Sequence, residues 1–262
     1  MEPSEYERIH QLEGRHFWYR GLHALVLAAL ARQLGRRADG ASRPLILDAG
    51  CGPGGLTARL LGHGRVVGLD RSPLALQLAA THAGVPLVQA SVSALPLAPS
   101  SVDAVVCLDV LYHRAVADDL AALAELAAAC RPGGVLLVNL PAHEWLAGPH
   151  DAQVHTARRY GRARVRALAR AAGLEVERLS WFNCALLPAA IATRRLSGRR
   201  DRPHSDVRAL PALINAPLTA WMQVEAALSL RGLLPWGLSL FAVLRRPAGD
   251  GPPARRGAAR PE

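Results

Sequence analysis

The stretch "LILDAGCGPGG", Leu45 to Gly55, limits the fold more than any other part of the chain. A short apolar run enters a glycine-rich turn, and a helical pattern begins at once, from about Gly55 to Leu61. A run this short and this apolar reads as a strand buried on both faces. The glycines allow a tight turn and close approach to a ligand, while a helix start offers free N–H groups to an anion. Gly50, Gly52 and Gly55 satisfy the GxGxxG spacing. Asp70, about 20 residues downstream, closes the next apolar run and is placed to grip a ribose. Strand, turn, helix and acid in register point to an adenosine-containing ligand.

The rest of the chain repeats this alternation. The helix from about Gly55 is followed by the run "VVGLD", a helix from Pro73 to Thr81, and the runs "VPLVQA" and "SVDAVVCL". A long alanine-rich helix from Ala115 to Cys130, the turn "RPGG" and the run "VLLVNL" come next. Apolar runs separated by helices are the product of βαβ units around a buried parallel sheet, so the expected core is open, doubly wound α/β. Two N-terminal helices, residues 4–14 and 21–34, are expected on either side of the aromatic cluster "HFWY". A helix from Arg162 to Ala172 and the strand "LEVERLSWF" follow the fifth strand. Residues 185–235 break the alternation as a helical insertion before a last strand, "GLSLFAVLRR". Its apolar faces fit a lid, a homodimer contact or packing on the sheet, of which packing is expected. The expected organisation is one domain over 1–246: a helical cap at 1–40, a cofactor-binding core at 44–142 and the insertion. A disordered tail is expected at 247–262.

Composition enters only to exclude. A formal net charge of +10 would ordinarily suggest a polyanion partner, but every one of the 31 basic residues is arginine and they are scattered from Arg8 to Arg260. A solvated surface is the expected reading, with no nucleic-acid partner. The four cysteines form no CxxC pair or dense framework, which suits a reducing compartment, and a cytoplasmic location is expected. No apolar run approaches the roughly 20 residues of a transmembrane segment, and the first residues lack a signal pattern.

Four consecutive segments decide which adenosine ligand is expected: "LILDAGCGPGG", "VVGLDRSPLAL", "LPLAPSSVDAVVCLDVLYH" and "LAALAELAAACRPGGVLLVNLPA". Over roughly residues 44–142 the chain resembles the class I S-adenosylmethionine-dependent methyltransferases, in the group acting mostly on small molecules. The resemblance implies a seven-stranded, mostly parallel Rossmann-like methyltransferase sheet. It also implies transfer of a methyl group to an O, N or C nucleophile of a small-molecule acceptor, an apolar compound or secondary metabolite among the candidates. S-adenosyl-L-methionine is the implied cofactor.

Site residues follow from the same resemblance. Asp70 would accept both ribose hydroxyls. Gly50, Cys51, Gly52 and Gly54 would bring backbone against the methionine and ribose, with Asp48 near the amino group and Arg71 beside the adenine. Ser91 stands where the family usually has an aspartate, a weaker acceptor, and Val92 offers backbone. Leu108 and Asp109 would flank the sulfonium. Methyl transfer needs chiefly placement, with a base only for a protonated nucleophile. His113 is either that base or a cap for its loop. The segment "PHDAQVHTARRY" follows the fifth strand, on the ligand side of such sheets. His150 and His155 are candidate bases there, and Asp151 and Tyr160 candidate acceptor residues, with Trp18 and Tyr19 closing the opposite wall. No metal is expected, in that segment or elsewhere. The shared glycine spacing leaves an NAD(P)-dependent oxidoreductase as one alternative, and Ser91 leaves a non-catalytic cofactor-binding module as another.

Overall fold

The computed structural model describes residues 1–35, 43–82, 84–196 and 209–249, with backbone alone at 149–150 and 193–196. Seven strands form one sheet: β1 (Leu45–Ala49), β2 (Arg65–Asp70), β3 (Leu87–Gln89), β4 (Val102–Leu108), β5 (Cys130–Pro141), β6 (Glu175–Phe182) and β7 (Ser239–Arg245). Their order is β3-β2-β1-β4-β5-β7-β6. The pairs from β3 to β5 are parallel, whereas β7 runs antiparallel to both β5 and β6. This is the seven-stranded, mostly parallel Rossmann-like sheet expected from the sequence. The order reverses between β1 and β4, so a crevice opens at their carboxyl ends, where open α/β sheets bind ligands.

Strand periodicity divides the interior into two cores, since successive side chains leave opposite faces. Leu47, Val105, Leu136 and Ala242 enter one core. Ile46, Val106, Leu137 and Phe241 enter the other. The first core is covered by α5 (Asp119–Ala129) and α7 (Arg162–Ala171), through Leu123, Leu126, Val165 and Ala169. The second is covered by α2 (Phe17–Leu34), α3 (Gly55–Leu60) and α9 (Ala212–Arg231), through Leu25, Leu30, Leu60, Met222 and Leu230. The remaining helices are α1 (Pro3–Leu12), α4 (Pro73–Ala80), α6 (Pro149–Gln153) and α8 (Leu187–Leu196). No helix of the described residues is long and apolar enough to cross a membrane.

Two boundaries differ from expectation, each because a cap overrides a pattern. "HFWY" is no connector: Phe17 begins α2, His16 caps it by accepting from Trp18 N, and Phe17 N donates to Asn215 Oδ1 at 2.9 Å. The alanine-rich helix starts at Asp119 rather than Ala115, because Asp118 Oδ1 accepts from Leu120 N and Ala121 N. The insertion is divided in use. Its long helix α9 lies against α2, where a Cβ on Gly21 would sit 2.5 Å from Met222 Cβ. Glu225, fully buried on α9, accepts from Cys184 N and Ala185 N and so fixes the chain as it leaves β6. Among the described residues of the insertion, only α8 and the turn before it border the crevice, through Leu186, Ala189 and Ala190. The expected tail lies outside the described residues from position 250 onward.

Candidate active site

A cavity of about 1040 Å³ occupies the crevice. That is just above the usual 300–1,000 Å³ for small-molecule sites. Its floor is the glycine turn. Gly50, Gly52 and Gly54 hold φ of 86°, 53° and 91°. At Gly50 a side chain is excluded twice, by conformation and because a Cβ would lie 2.2 Å from Val110 Cγ2. Gly50 N and Cys51 N both donate to Leu69 O, tying the turn to the end of β2. Asp70 then bridges the turn to the next helix, accepting from Gly52 N at 3.0 Å and Ser72 N at 2.8 Å.

Acidic groups dominate the buried polar lining. Asp48 is 3% exposed, accepts from Thr57 Oγ1 at 2.7 Å, and burial pushes its carboxyl up to about 7. Glu13, 5% exposed at the end of α1, accepts from Gly55 N at 3.0 Å and is likewise pushed up to about 7 by burial. Asp109, strained at φ 56°, receives both bonds of Asn139 Nδ2 and is lifted to about 7 by its desolvated surroundings. Burial also raises Asp70, against the bonds from Ser72 and Gly52. Carboxyls lifted this way have more desolvation than positive charge around them. A cation in the cavity would supply what they lack.

The structure gathers Asp48, Gly50, Cys51, Gly52, Asp70, Arg71, Ser91, Val92, Leu108 and Asp109 on one side of the cavity. Gly54 is the exception. It sits behind the turn, where a Cβ would be 2.8 Å from Ala79 Cβ, so its role is helix packing against α4. Ser91 Oγ accepts from Ser93 N at 3.2 Å and shapes its own turn.

The opposite wall comprises Trp18, Tyr19, His113, Asp151, His155 and Asn183. The segment after α6 is strapped to the loop after β4 by Arg114 N to His155 O and Ala157 N to Tyr112 O. That strap brings the imidazoles of His113 and His155 to 5.5 Å between centroids. His113 Nδ1 accepts from Ala115 N at 3.0 Å, and burial with neighbouring cations lowers its pKa to about 4. Its lone pair is therefore engaged as a loop cap. His155 Nε2 lies 2.8 Å from Glu2 Oε1, which orients the ring and leaves Nδ1 as the acceptor nitrogen. Met1 N lies over the pair, 2.9 Å from His113 Nε2 and 3.2 Å from His155 Nδ1. The side chain of His150 lies outside those described.

Tyr160 corrects the sequence reading. It is 1% exposed and points away from the cavity, its hydroxyl donating to Asp119 Oδ2 at 3.0 Å and lying 3.2 Å from Leu111 O. It anchors the loop in the α5–α7 core. Asp151 borders the cavity, but both its oxygens are engaged, Oδ1 by Arg159 at 2.6 Å and Oδ2 by Gly148 N at 2.6 Å. Sequence reasoning missed Glu13, Tyr6 and Asn183, all lining the cavity. Asn183 is 1% exposed, holds φ 61°, and its Oδ1 has no hydrogen-bond partner. Its position directly after the sixth strand was its available signal.

Comparison with known proteins agrees with this geometry. Residues 46–134 match the sequence model of a methyltransferase domain. Within that match the chain is similar to S-adenosylmethionine-dependent methyltransferases. A tRNA U34 carboxymethyltransferase of Cellvibrio japonicus is 40% identical over 104 residues, covering 36% of this chain and 32% of that protein. A malonyl-[acyl-carrier protein] O-methyltransferase of Serratia marcescens is 37% identical over 118 residues, 43% and 46% of the two chains. The chain thus spans between about a third and a half of these relatives' length. Among solved structures, a chain of the complex between the Haloferax volcanii Trm112 methyltransferase activator and a candidate methyltransferase superimposes with a TM-score of 0.59. It is 23% identical, covering 95% of this chain and 96% of that one. These findings overturn the expected partners, a small-molecule acceptor and no nucleic acid. One relative is named for tRNA, and the structural neighbour is held in a complex with an activator protein.

Proposed function

We propose that this chain transfers a methyl group from S-adenosylmethionine to a nucleophile carried on a macromolecule. The observation that carries the donor half is Asp70, fixed between Gly52 N and Ser72 N at the carboxyl end of β2 beside the turn of positive-φ glycines. The residues present suit the donor. Open space lies where a Gly52 Cβ would project, and the desolvated carboxyls of Asp48 and Asp109 lack counter-charge. When bound, S-adenosylmethionine supplies an electrophilic methyl on a positively charged sulfur.

The chain's own residues then have three tasks. Asp70 holds two hydroxyls on one carboxylate and fixes the donor's rotation. Asp48 and Asp109 ionise against positive charge and so retain the donor while shielding it from water. On the other wall, Asn183 Oδ1 accepts a hydrogen bond from the acceptor, and His155 Nδ1, oriented through Glu2, takes the acceptor's proton where it has one. Most of the rate comes from holding two reactants in line, which removes the entropy of bringing them together.

The acceptor class rests on the two named relatives, whose names place the acceptor on a tRNA and on a carrier protein. Incubation with methyl-tritiated S-adenosylmethionine and, separately, bulk tRNA or malonyl-acyl-carrier protein distinguishes the carriers. Label in either fraction, lost in Asp70→Ala, is the expected result. Failure to bind S-adenosylmethionine at millimolar concentration by calorimetry defeats the proposal.

A further inference from the structure

Beside the glycine turn, where Glu13 borders the cavity, three ligand-type side chains converge. His10 and Glu13 lie three residues apart at the end of α1, so they face the same way. His82 follows α4, and its imidazole lies 4.5 Å from that of His10 between centroids, tilted by 35°. One donor atom from each of His10, Glu13 and His82 lies within 4.8 Å of the others. Tetrahedral zinc bonds of about 2.0–2.2 Å place ligand atoms roughly 3.3 Å apart, a contraction that side-chain rotation can supply.

We propose that His10, Glu13 and His82 form a zinc-type divalent metal site that clamps α1 to the glycine turn. Four observations support it besides proximity. His10 Nδ1 is buried without a hydrogen-bond partner. Two imidazoles this close cannot both carry a proton cheaply, whereas two neutral imidazoles can share a cation. Glu13 is already oriented by Gly55 N at 3.0 Å, the kind of outer bond that fixes a ligating carboxylate. Finally, two histidines and one glutamate are a known zinc set that leaves a fourth position for water.

The placement gives the metal a task. α1 contributes Glu5, Tyr6 and Ile9 to the cavity wall, and α4 packs through Ala79 against Gly54. Joining α1 to the end of α4 therefore holds the cavity wall against the turn that receives the donor. Metal and donor should each bind more tightly in the presence of the other, by the same factor.

The test uses the full chain without a histidine tag, stripped by EDTA, titrated with zinc against a chromophoric chelator. One zinc per chain is expected, with affinity reduced at least about tenfold in His82→Ala and His10→Ala, as loss of a ligand costs no less than loss of an outer partner. Circular dichroism confirms that both variants keep the fold; His82 is exposed, so its removal leaves no cavity. No stoichiometric zinc in the wild type, or equal zinc in the variants, overturns the site. The second arm rests on the proposed function: S-adenosylmethionine affinity should rise several-fold with zinc in the wild type and not in His82→Ala. Equal affinity with and without zinc overturns the clamp. A chain that takes up zinc but never binds S-adenosylmethionine defeats the donor reading and leaves the metal site standing.

Discussion

Gly50 and Asp48 show how single residues build this site. At Gly50 a positive φ and the Val110 methyl both forbid a side chain. Gly50→Ala should therefore cost at least about 1–2 kcal/mol from the left-handed backbone alone. Calorimetry should show Tm lowered by roughly 2–8 °C. Gly14→Ala, with φ unstrained and nothing within 4 Å, should leave Tm unchanged. Asp48 and Glu13 make a prediction about pH. Their carboxyls, lifted to about 7, keep protons that the unfolded chain has already released above about 4. The ligand-free protein should thus lose stability as pH rises from about 4 to about 7. Donor affinity runs the other way, strengthening as pH rises through 7 because the cation favours the ionised forms. Binding at pH 6.5 should release protons, measured by calorimetry in buffers of different ionisation enthalpy, and Asp48→Asn should reduce that release. His155→Ala should lower kcat while leaving donor Kd unchanged; an unchanged kcat would make the loop a structural strap only.

At the scale of elements, the strap between the loop after β4 and the segment after α6 decides the acceptor wall. Tyr160 anchors it through Asp119, and Arg159 holds Asp151. Tyr160→Phe should lower Tm by removing a buried donor and leaving Asp119 one partner short, about 1–3 kcal/mol. Donor affinity should be untouched. The strand–glycine–helix unit was legible in the sequence because its signals are local: an apolar run, glycines and a helix start within eleven residues. The placement of Asp70 followed from the same unit. What was hidden depends on distance along the chain. Glu13 reaches Gly55 across 42 residues, and Phe17 N meets Asn215 across 198. No periodicity in α1 or α9 announces either contact. Tyr160 misled for the converse reason: a tyrosine in a loop of histidines looks like pocket chemistry, yet its ring fills the core and its hydroxyl reaches inward.

For the whole molecule, the cavity sits where α1, α2 and α8 meet the carboxyl ends of the sheet, so filling it should tighten elements far apart in sequence. Saturating S-adenosylmethionine at 100 times Kd should add about 2.7 kcal/mol to stability. The gain should be read as a rise in Tm that vanishes in Asp70→Ala. The fold's last strand has its own consequence. β7 is threaded between β5 and β6, pairing with both through residues 239–245. During synthesis, β5 and β6 must wait on the ribosome as two raw edges until that hairpin-free strand emerges. The interval is when a neighbouring chain could take its place. The step that finishes the sheet therefore covers both of those edges at once.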